Sequence, residues 1–395
     1  MIMTTETTHP LAFRVKEKYA QQFGDTASLT VRSPGRVNLI GEHTDYNHGF
    51  VLPAAVDKAI YMAAGRRSDG AIHILSLDLD RVYTGSVNQV VPSGLHWPDY
   101  LLGVVQQLQL LGLPVGGFNC VFAGEIPLGA GMSSSAALEC ATAFVLNTLF
   151  DLKLDTLTMV KLSQKAENVF VGVQCGIMDQ FASMFGRKGH VIRLDCQSLD
   201  YAYFPFRTEG IRIVLLDTNV KHSLASSEYN TRRQQCEAGV RLVQQQYPEV
   251  NSLRDVTPEM LSALVLPVDE LIYRRCSYVI EENARLQAAT EDLLRGDITA
   301  FGRQLYGSHD GLSRKYEVSC PELDFLVEQV RDREGVLGAR MMGGGFGGCT
   351  INLVREEAID ELVEWVTPRY RQAMGLELKA YIGQIENGTS VAGVE

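Results

Sequence analysis

The sequence predicts a chain of two domains, each of mixed α and β structure. Three observations carry that expectation. The chain has 395 residues, 46% of them apolar, enough for a large core and, at about 150 residues per domain, for two units. Residues 1–90 hold short apolar runs bounded by polar or glycine-containing turns, the pattern of strands. From Asp99 onward, apolar residues recur at three and four positions in several long segments, the period of amphipathic helices.

Taken in order, TVRS, GFVLPAAV, KAIYMAAGR and AIHILSLD supply the early strands, and PDYLLGVVQQLQLLGL predicts a helix from Asp99 to Leu113. NCVFAGEI reads as a strand. PLGAGMSSSAALECATAFVLNTLF passes from a glycine-rich loop into a helix, and Asp155 is placed to cap the next one, DTLTMVKLSQKAENVFVG. CGIMDQFASMF follows as a loop and short helix, with strands at HVIRLDC (190–196) and IRIVLLDT (211–218). Residues 220–330 read as largely helical, most clearly at SSEYNTRRQQCEAGVRLVQQQ. GARMMGGGFGGCTINLV reads as a glycine loop feeding a strand, before the helix EEAIDELVEWVTPRYRQAM and a last strand, KAYIGQI. The expected domains are residues 1–200 and 201–395.

Composition excludes several function classes. A formal net charge of −11 and a pI near 5.3 argue against a nucleic-acid partner, whose phosphates call for clustered Lys and Arg. The eight cysteines include no pair closer than Cys120 and Cys140, so zinc-type spacing is absent and reduced thiols of a cytoplasmic protein are expected. No basic-then-apolar leader opens the sequence, and no run approaches the ~18 apolar residues of a membrane span. A monomer is expected, because no coiled-coil pattern appears.

Two glycine-rich segments stand out. In PLGAGMSSSA, Gly129, Ala130 and Gly131 let backbone N–H groups approach a ligand, and the serines stand where a helix begins and favours an anion. That suits a phosphate cradle, although a simple serine N-cap after a tight turn would look similar. No lysine follows, so this is not a P-loop. GGGFGG contains a formal GxGxxG at Gly343, Gly345 and Gly348. A dinucleotide fingerprint must open a helix, whereas here the strand-like CTINLV follows. Neither HRD nor DFG occurs, which removes the protein-kinase reading.

The remaining chemistry lies in carboxylates. Phosphoryl transfer needs a cation, oxygen ligands for it and a group that positions the nucleophile. Glu167 and Asp179 flank an expected helix break and can face one cavity from two elements. Asp179 sits among Ile177, Met178 and Phe181, where a charge needs a partner; Arg36 could be that partner and could also stabilise a transferring phosphoryl group. Arg36 opens the stretch GRVNLIGEHTDYNHG (35–49), whose Glu42, His43 and Asp45 suit the several hydroxyls of a bound sugar.

Read together and in this order, GRVNLIGEHTDYN, PLGAGMSSSAALE, CGIMDQF, HSLASSEYNTRR and GGGFGGC closely resemble the galactokinase family of the GHMP small-molecule kinases, from about residue 10 to residue 385. The resemblance implies an α+β GHMP kinase fold. Its amino-terminal domain would be like ribosomal protein S5 domain 2, its carboxy-terminal domain ferredoxin-like, and the active site would lie between them. It implies transfer of the γ-phosphate of ATP, with Mg2+, to the anomeric hydroxyl of α-D-galactose, the first committed step of the Leloir pathway.

By position, Asp179 matches the proposed base and Arg36 the transition-state stabiliser. Glu42, His43, Thr44, Asp45 and Tyr229 match sugar contacts. Ser76 and the loop Gly129, Ala130, Gly131, Met132, Ser133, Ser134 and Ser135 match the ATP site, with Ser135 and Glu167 at the metal positions. Met132 stands where many members have leucine, a conservative change. Whether the aspartate removes the proton or orients the hydroxyl stays open. A 1-kinase for N-acetylgalactosamine or arabinose shares most of these motifs. A non-enzymatic sugar and ATP sensor would carry an interrupted serine loop, whereas GMSSSAA runs unbroken.

Overall fold

The computed structural model describes residues 9–127, 129–206, 209–220 and 225–393. Leu128 of the serine-loop motif and His222, Ser223 and Leu224 of HSLASSEYNTRR lie outside the described residues.

The chain opens with α1 (Pro10–Phe23), a helix that the strand-rich reading of the first ninety residues passed over. Its ends are marked by Pro10 at the first turn and Gly24 at φ 74°, whose N–H returns to the Ala20 carbonyl; proline inside the start and glycine past the end are the asymmetry of helix termini. Ala12, Val15 and Tyr19 form its buried stripe. Strands β1 (Leu29–Asn38), β2 (Phe50–Val51), β3 (Pro53–Arg66) and β4 (Ala71–Ser76) follow where the apolar runs predict them, and β5 (Arg81–Ser86) is a further strand that none of those runs covers. Then come α2 (Asp99–Leu110), β6 (Phe118–Gly124) and α3 (Ser134–Phe150).

α4 (Thr156–Ala166) is capped as expected, the Asp155 carboxylate accepting from the Thr158 N–H at 2.9 Å. The helix then widens into a π turn at Glu167–Val171 and stops at Gly172, φ 93°; such turns gather at functional sites. α5 (Met178–Phe185), β7 (His190–Asp195), β8 (Tyr201–Pro205) and β9 (Ile211–Asp217) complete this half. The strand β8 was not foreseen.

Five further helices span α6 (Ala225–Gln244), α7 (Pro258–Leu264), α8 (Glu270–Leu294), α9 (Ile298–Gly311) and α10 (Pro321–Val330). The chain ends in β10 (Val336–Met341), β11 (Cys349–Arg355), α11 (Ile359–Met374), β12 (Lys379–Gly383) and β13 (Ser390–Val391). GARMM is therefore itself a strand, and the glycine run is the turn of the β10–β11 hairpin.

The strands form three sheets: β13-β1-β3-β6-β4-β5, β10-β11-β9-β12 and β2-β7-β8. In the first, β4 and β6 run parallel while every other pair is antiparallel. The last strand thus returns to the first sheet, beside β1. One large core joins β1, β3, α2, α3 and α5 to Leu286, Phe301, Leu305 and Ile351 of the later elements. Separate clusters lie between α6, α7 and α8 and between β9, α10 and α11.

Contact between α9 and β10 is unusually close. A Cβ at Gly302 would meet the Leu337 carbonyl oxygen at 2.0 Å, and one at Gly338 would meet the Gly302 oxygen at 2.3 Å. Overpacking of this kind costs about 2 kcal/mol. Gly302→Ala should lower the urea midpoint accordingly; an unchanged midpoint would show that the two elements can part freely.

Candidate active site

β1 carries a register shift between Pro34 and Arg36. Proline has no N–H to offer a ladder, and a bulge re-aims the side chain that follows. Gly35 makes the approach possible, since a Cβ there would meet the Met132 carbonyl at 2.6 Å. The Arg36 N–H donates to that carbonyl at 3.0 Å. Its guanidinium, 5% exposed, donates Nε to Asp179 Oδ1 and Nη2 to Oδ2, both at 2.8 Å, and Nη1 to the Gly131 carbonyl. Burial opposes the guanidinium charge, but Asp179, Glu42 and Asp45 outweigh it and hold Arg36 above its ordinary pKa. Expected from a lone charge in an apolar stretch, the pair is a bidentate, buried contact of the strong kind.

Asp179 stands in the first turn of α5, where a negative charge meets the helix dipole favourably. Its Oδ2 also accepts from the Ser133 hydroxyl. Ser133 occupies the N-cap position of α3 at φ 53°, yet its side chain makes no capping bond. The alternative of a plain serine cap therefore fails at Ser133: its hydroxyl belongs to the aspartate.

A cavity of about 240 Å³ opens above this cluster, lined by Arg36, Glu42, His43, Asp45, Glu167 and Asp179 with Val173, Cys175, Met178, Tyr229, Gly343 and Gly344. Seven of the side chains singled out from sequence thus meet in one place. Gly343 and Gly344 come from the β10–β11 turn, which packs on the serine loop: a Cβ at Gly131 would lie 3.3 Å from the Met342 carbonyl, and one at Gly348 would lie 3.4 Å from the Gly129 carbonyl. Those glycines let two loops interlock, and with a strand on either side they are no dinucleotide fingerprint.

In the stretch 41–49 the side chains divide their work. Glu42 is 3% exposed and pairs with Arg340 Nη2 at 2.7 Å. His43 hydrogen-bonds Tyr46 Oη through Nδ1 at 2.7 Å, and Tyr46 Oη meets Tyr316 Oη at 2.8 Å. Burial pushes the His43 pKa down to about 3, so the ring is neutral. Asp45 packs on Gly176, where a Cβ would fall 1.9 Å from its Oδ2. Burial, then Asp179, raises Asp45 to about 7. Thr44, expected against the sugar, instead donates its hydroxyl to the Gly41 carbonyl at 2.8 Å inside the loop and does not line the cavity. Tyr229 of α6 stands 5.2 Å from both His43 and Tyr46, centroid to centroid.

On the far wall, Glu167 at the π turn is 6% exposed. Burial and then Asp179 raise its pKa, against hydrogen bonds from Ser135, Cys175 and Gln180. Ser135 and Glu167 are thus neighbours, and together they offer hard oxygen donors. No group of three His, Cys, Asp or Glu gathers as a closed cation cage among the described residues. Ser76 ends β4 with a buried hydroxyl that has no partner among the described residues; it does not line the cavity. Ala130 and Met132 are buried in the core, and Ser134 opens α3.

Sequence reasoning missed Arg340, Gln180 and Glu139. Arg340 is fully buried, and so are Glu139 and Gln180. The signal existed: each is a polar residue in an apolar element, the argument that singled out Asp179.

Profiles of known families match this chain in three places: a galactokinase galactose-binding signature over residues 17–66, a GHMP kinase N-terminal domain over 99–187 and a GHMP kinase C-terminal domain over 289–369. A galactokinase of Roseiflexus sp. (strain RS-1) is 40% identical over 95% of each chain. The chain belongs to the galactokinase family. A Thermotoga neapolitana galactokinase is 41% identical over 92% of this chain and 99% of its own. The crystal structure of Lactococcus lactis galactokinase complexed with galactose superposes with a TM-score of 0.91 at 36% identity, over 95% of this chain and 98% of that one. The fold is accordingly the GHMP kinase fold of the galactokinase family.

The site makes a pH prediction of definite sign. The folded chain keeps Asp45 protonated up to about pH 7, the unfolded chain only up to its ordinary value of 3.8. Between those limits the folded state holds more protons, and stability falls as pH rises. His43, lowered from 6.5 to about 3, acts oppositely: the unfolded state holds more protons and stability rises with pH. Asp45→Asn removes only the first slope. Its unfolding free energy should climb more steeply than wild type between about pH 4 and 6.5; equal slopes would refute the Asp45 assignment.

Proposed function

We propose that this galactokinase-family chain transfers the γ-phosphoryl group of ATP to the anomeric hydroxyl of α-D-galactose, giving α-D-galactose 1-phosphate and ADP. One observation carries the reading beyond family membership: the Arg36–Asp179–Ser133 cluster lies on a cavity bounded by the polar stretch 41–49 on one side and approached by the glycine–serine loop on the other.

The reaction forms an oxygen–phosphorus bond at the sugar hydroxyl, breaks the one between the β- and γ-phosphates, and releases the hydroxyl proton. Asp179 is the group that receives or orients that proton. Its Oδ2 already accepts from Arg36 and Ser133, whereas among the described residues Oδ1 accepts from Arg36 alone. A carboxylate oxygen has two lone-pair positions, so Oδ1 is the atom left to meet the substrate hydroxyl. Arg36, held between Asp179 and the Gly131 carbonyl, places a fixed positive charge where negative charge develops. Glu42, His43, Asp45 and Tyr229 bind the sugar. Glu42 accepts from hydroxyls, Asp45, raised to about 7, can accept or donate, and neutral His43 can donate or accept according to its tautomer.

Gly129 to Ser135 cradle the nucleotide, the glycines at positive φ allowing close backbone approach; Ser76 belongs to this part of the reading on position alone. Ser135 and Glu167 would hold a magnesium ion, whose shell favours few carboxylates and leaves positions for phosphate oxygens and water. When bound, the ion neutralises phosphate charge. Residues 1–200 act as the sugar- and ATP-binding domain and residues 201–395 close the site. In this reading the enzyme works as a cytoplasmic monomer, as the absence of a coiled-coil pattern in the sequence suggests.

ADP release should be measured with magnesium and ATP against galactose, glucose, N-acetylgalactosamine, arabinose, mevalonate and homoserine. Turnover mainly on galactose is expected, and turnover mainly on another compound would overturn the substrate. Asp179→Asn should lose turnover by about 10²–10⁴-fold, the worth of a positioned acid–base group. Near-wild-type turnover in that variant would sink the role of Asp179.

A further inference from the structure

Next to Asp179 in sequence, Gln180 is fully buried and takes no part in lining the cavity. Consecutive residues on a helix point about 100° apart, so one turn of α5 sends Asp179 toward the cavity and Gln180 into the layer between α3 and the π turn. There the two hydrogens of its Nε2 are both used, one on Glu139 Oε2 at 2.9 Å and one on Glu167 Oε2 at 2.7 Å. An amide oxygen in that place would face two carboxyl groups, so the orientation follows from the donor set.

The consequence for Glu167 is specific. Its Oε2 accepts from Gln180 and, at 3.4 Å, from the Cys175 thiol. One oxygen is thus anchored in the protein, while the residue still lines the cavity and its carboxyl group is hydrogen-bonded by Ser135. Glu139, one helical turn beyond Ser135 on α3, is fully buried and bonded through Oε2 to the same amide. It fixes the far side of the clamp. Burial, then the charge of Glu167, pushes the Glu139 carboxyl well above its ordinary pKa, and the shared amide donor holds the two groups together. Such an arrangement is costly for stability alone, because apolar residues of similar volume would serve as well.

We propose that Gln180 is a positioning residue that aims Glu167 at the catalytic cation and, through its neighbour Asp179, fixes the distance between cation and base. The proposal rests on the reading that Glu167 holds the cation. It assigns Glu139 the role of counter-anchor for the amide. Outer partners of ligating carboxylates commonly govern metal affinity by about 10–100-fold.

The test is Mn2+ binding in the presence of ADP, followed by electron paramagnetic resonance, beside galactose binding by calorimetry without nucleotide or metal. Gln180→Leu, which removes the amide, and Gln180→Asn, which withdraws it by one methylene, should each weaken Mn2+ binding about tenfold or more. Galactose affinity should stay within about twofold, a split that general loosening of the fold would not produce. Glu167→Gln is the reference. If it weakens Mn2+ binding while both Gln180 variants bind normally, the positioning role falls and the cation site stands. If Glu167→Gln itself binds Mn2+ normally, the underlying reading falls and this inference with it. Equal loss of galactose and Mn2+ affinity in the Gln180 variants would reduce the residue to packing.

Discussion

The buried cation Arg340 ties the carboxy-terminal hairpin to the end of the first strand. It lies on β10 with no exposed surface and donates to the carbonyls of Asn38, Leu39 and Met341 and to the carboxylate of Glu42. Removing a guanidinium from water costs several kcal/mol unless its donors are met, and here they are met chiefly by atoms at the end of β1. The carboxy-terminal hairpin can therefore be seated only when β1 and its following loop are in place. The same contact delivers Glu42 to the cavity and brings the glycine turn that follows β10 onto the serine loop.

From that joint the rest of the site follows by contact. The bulge in β1 sends Arg36 to Asp179, and the loop carbonyls of Gly131 and Met132 receive what Arg36 has left to donate. The stretch 41–49 is fastened from behind by the Tyr278 hydroxyl on the Glu42 carbonyl, at 3.0 Å, and by Asn283 on the Phe50 N–H, at 2.9 Å. A line of hydrogen bonds runs from His43 through Tyr46 and Tyr316 to Cys236 on α6. The stretch 41–49 and the helical layer thus share one polar network, which makes that stretch rigid at the cost of burying many hydroxyls.

Charge is the counterpart of that rigidity. Glu42, Asp45, Asp179, Glu167 and Glu139 lie around one small space, and Arg36 and Arg340 are the cations buried among them. Burial first, and then the repulsion among these groups, raises the pKa values of Asp45, Glu139 and Glu167. A site so arranged is preorganised to receive positive charge and hydroxyl donors, which lowers the reorganisation left for the moment of reaction.

Local patterns were legible in the sequence: most strands, the helix from Asp99, the Asp155 cap, the glycine–serine loop, and the crowded stretch 35–49 with Asp179 and its cation. These depend on neighbours along the chain, on side-chain period and on turn chemistry, all of which a sequence states outright. α1 was missed although Pro10 and Gly24 marked both its ends, because a short amphipathic segment gave way to the strands after it. What only the tertiary structure decided is which distant groups meet. Thr44 turns into its loop, Ser133 serves Asp179 instead of its helix, Arg340 reaches Glu42 across about 300 residues, and Gln180 bridges Glu139 and Glu167. Such partners are chosen by packing and by the need of buried polar groups for one another, and neither leaves a periodic trace in the chain.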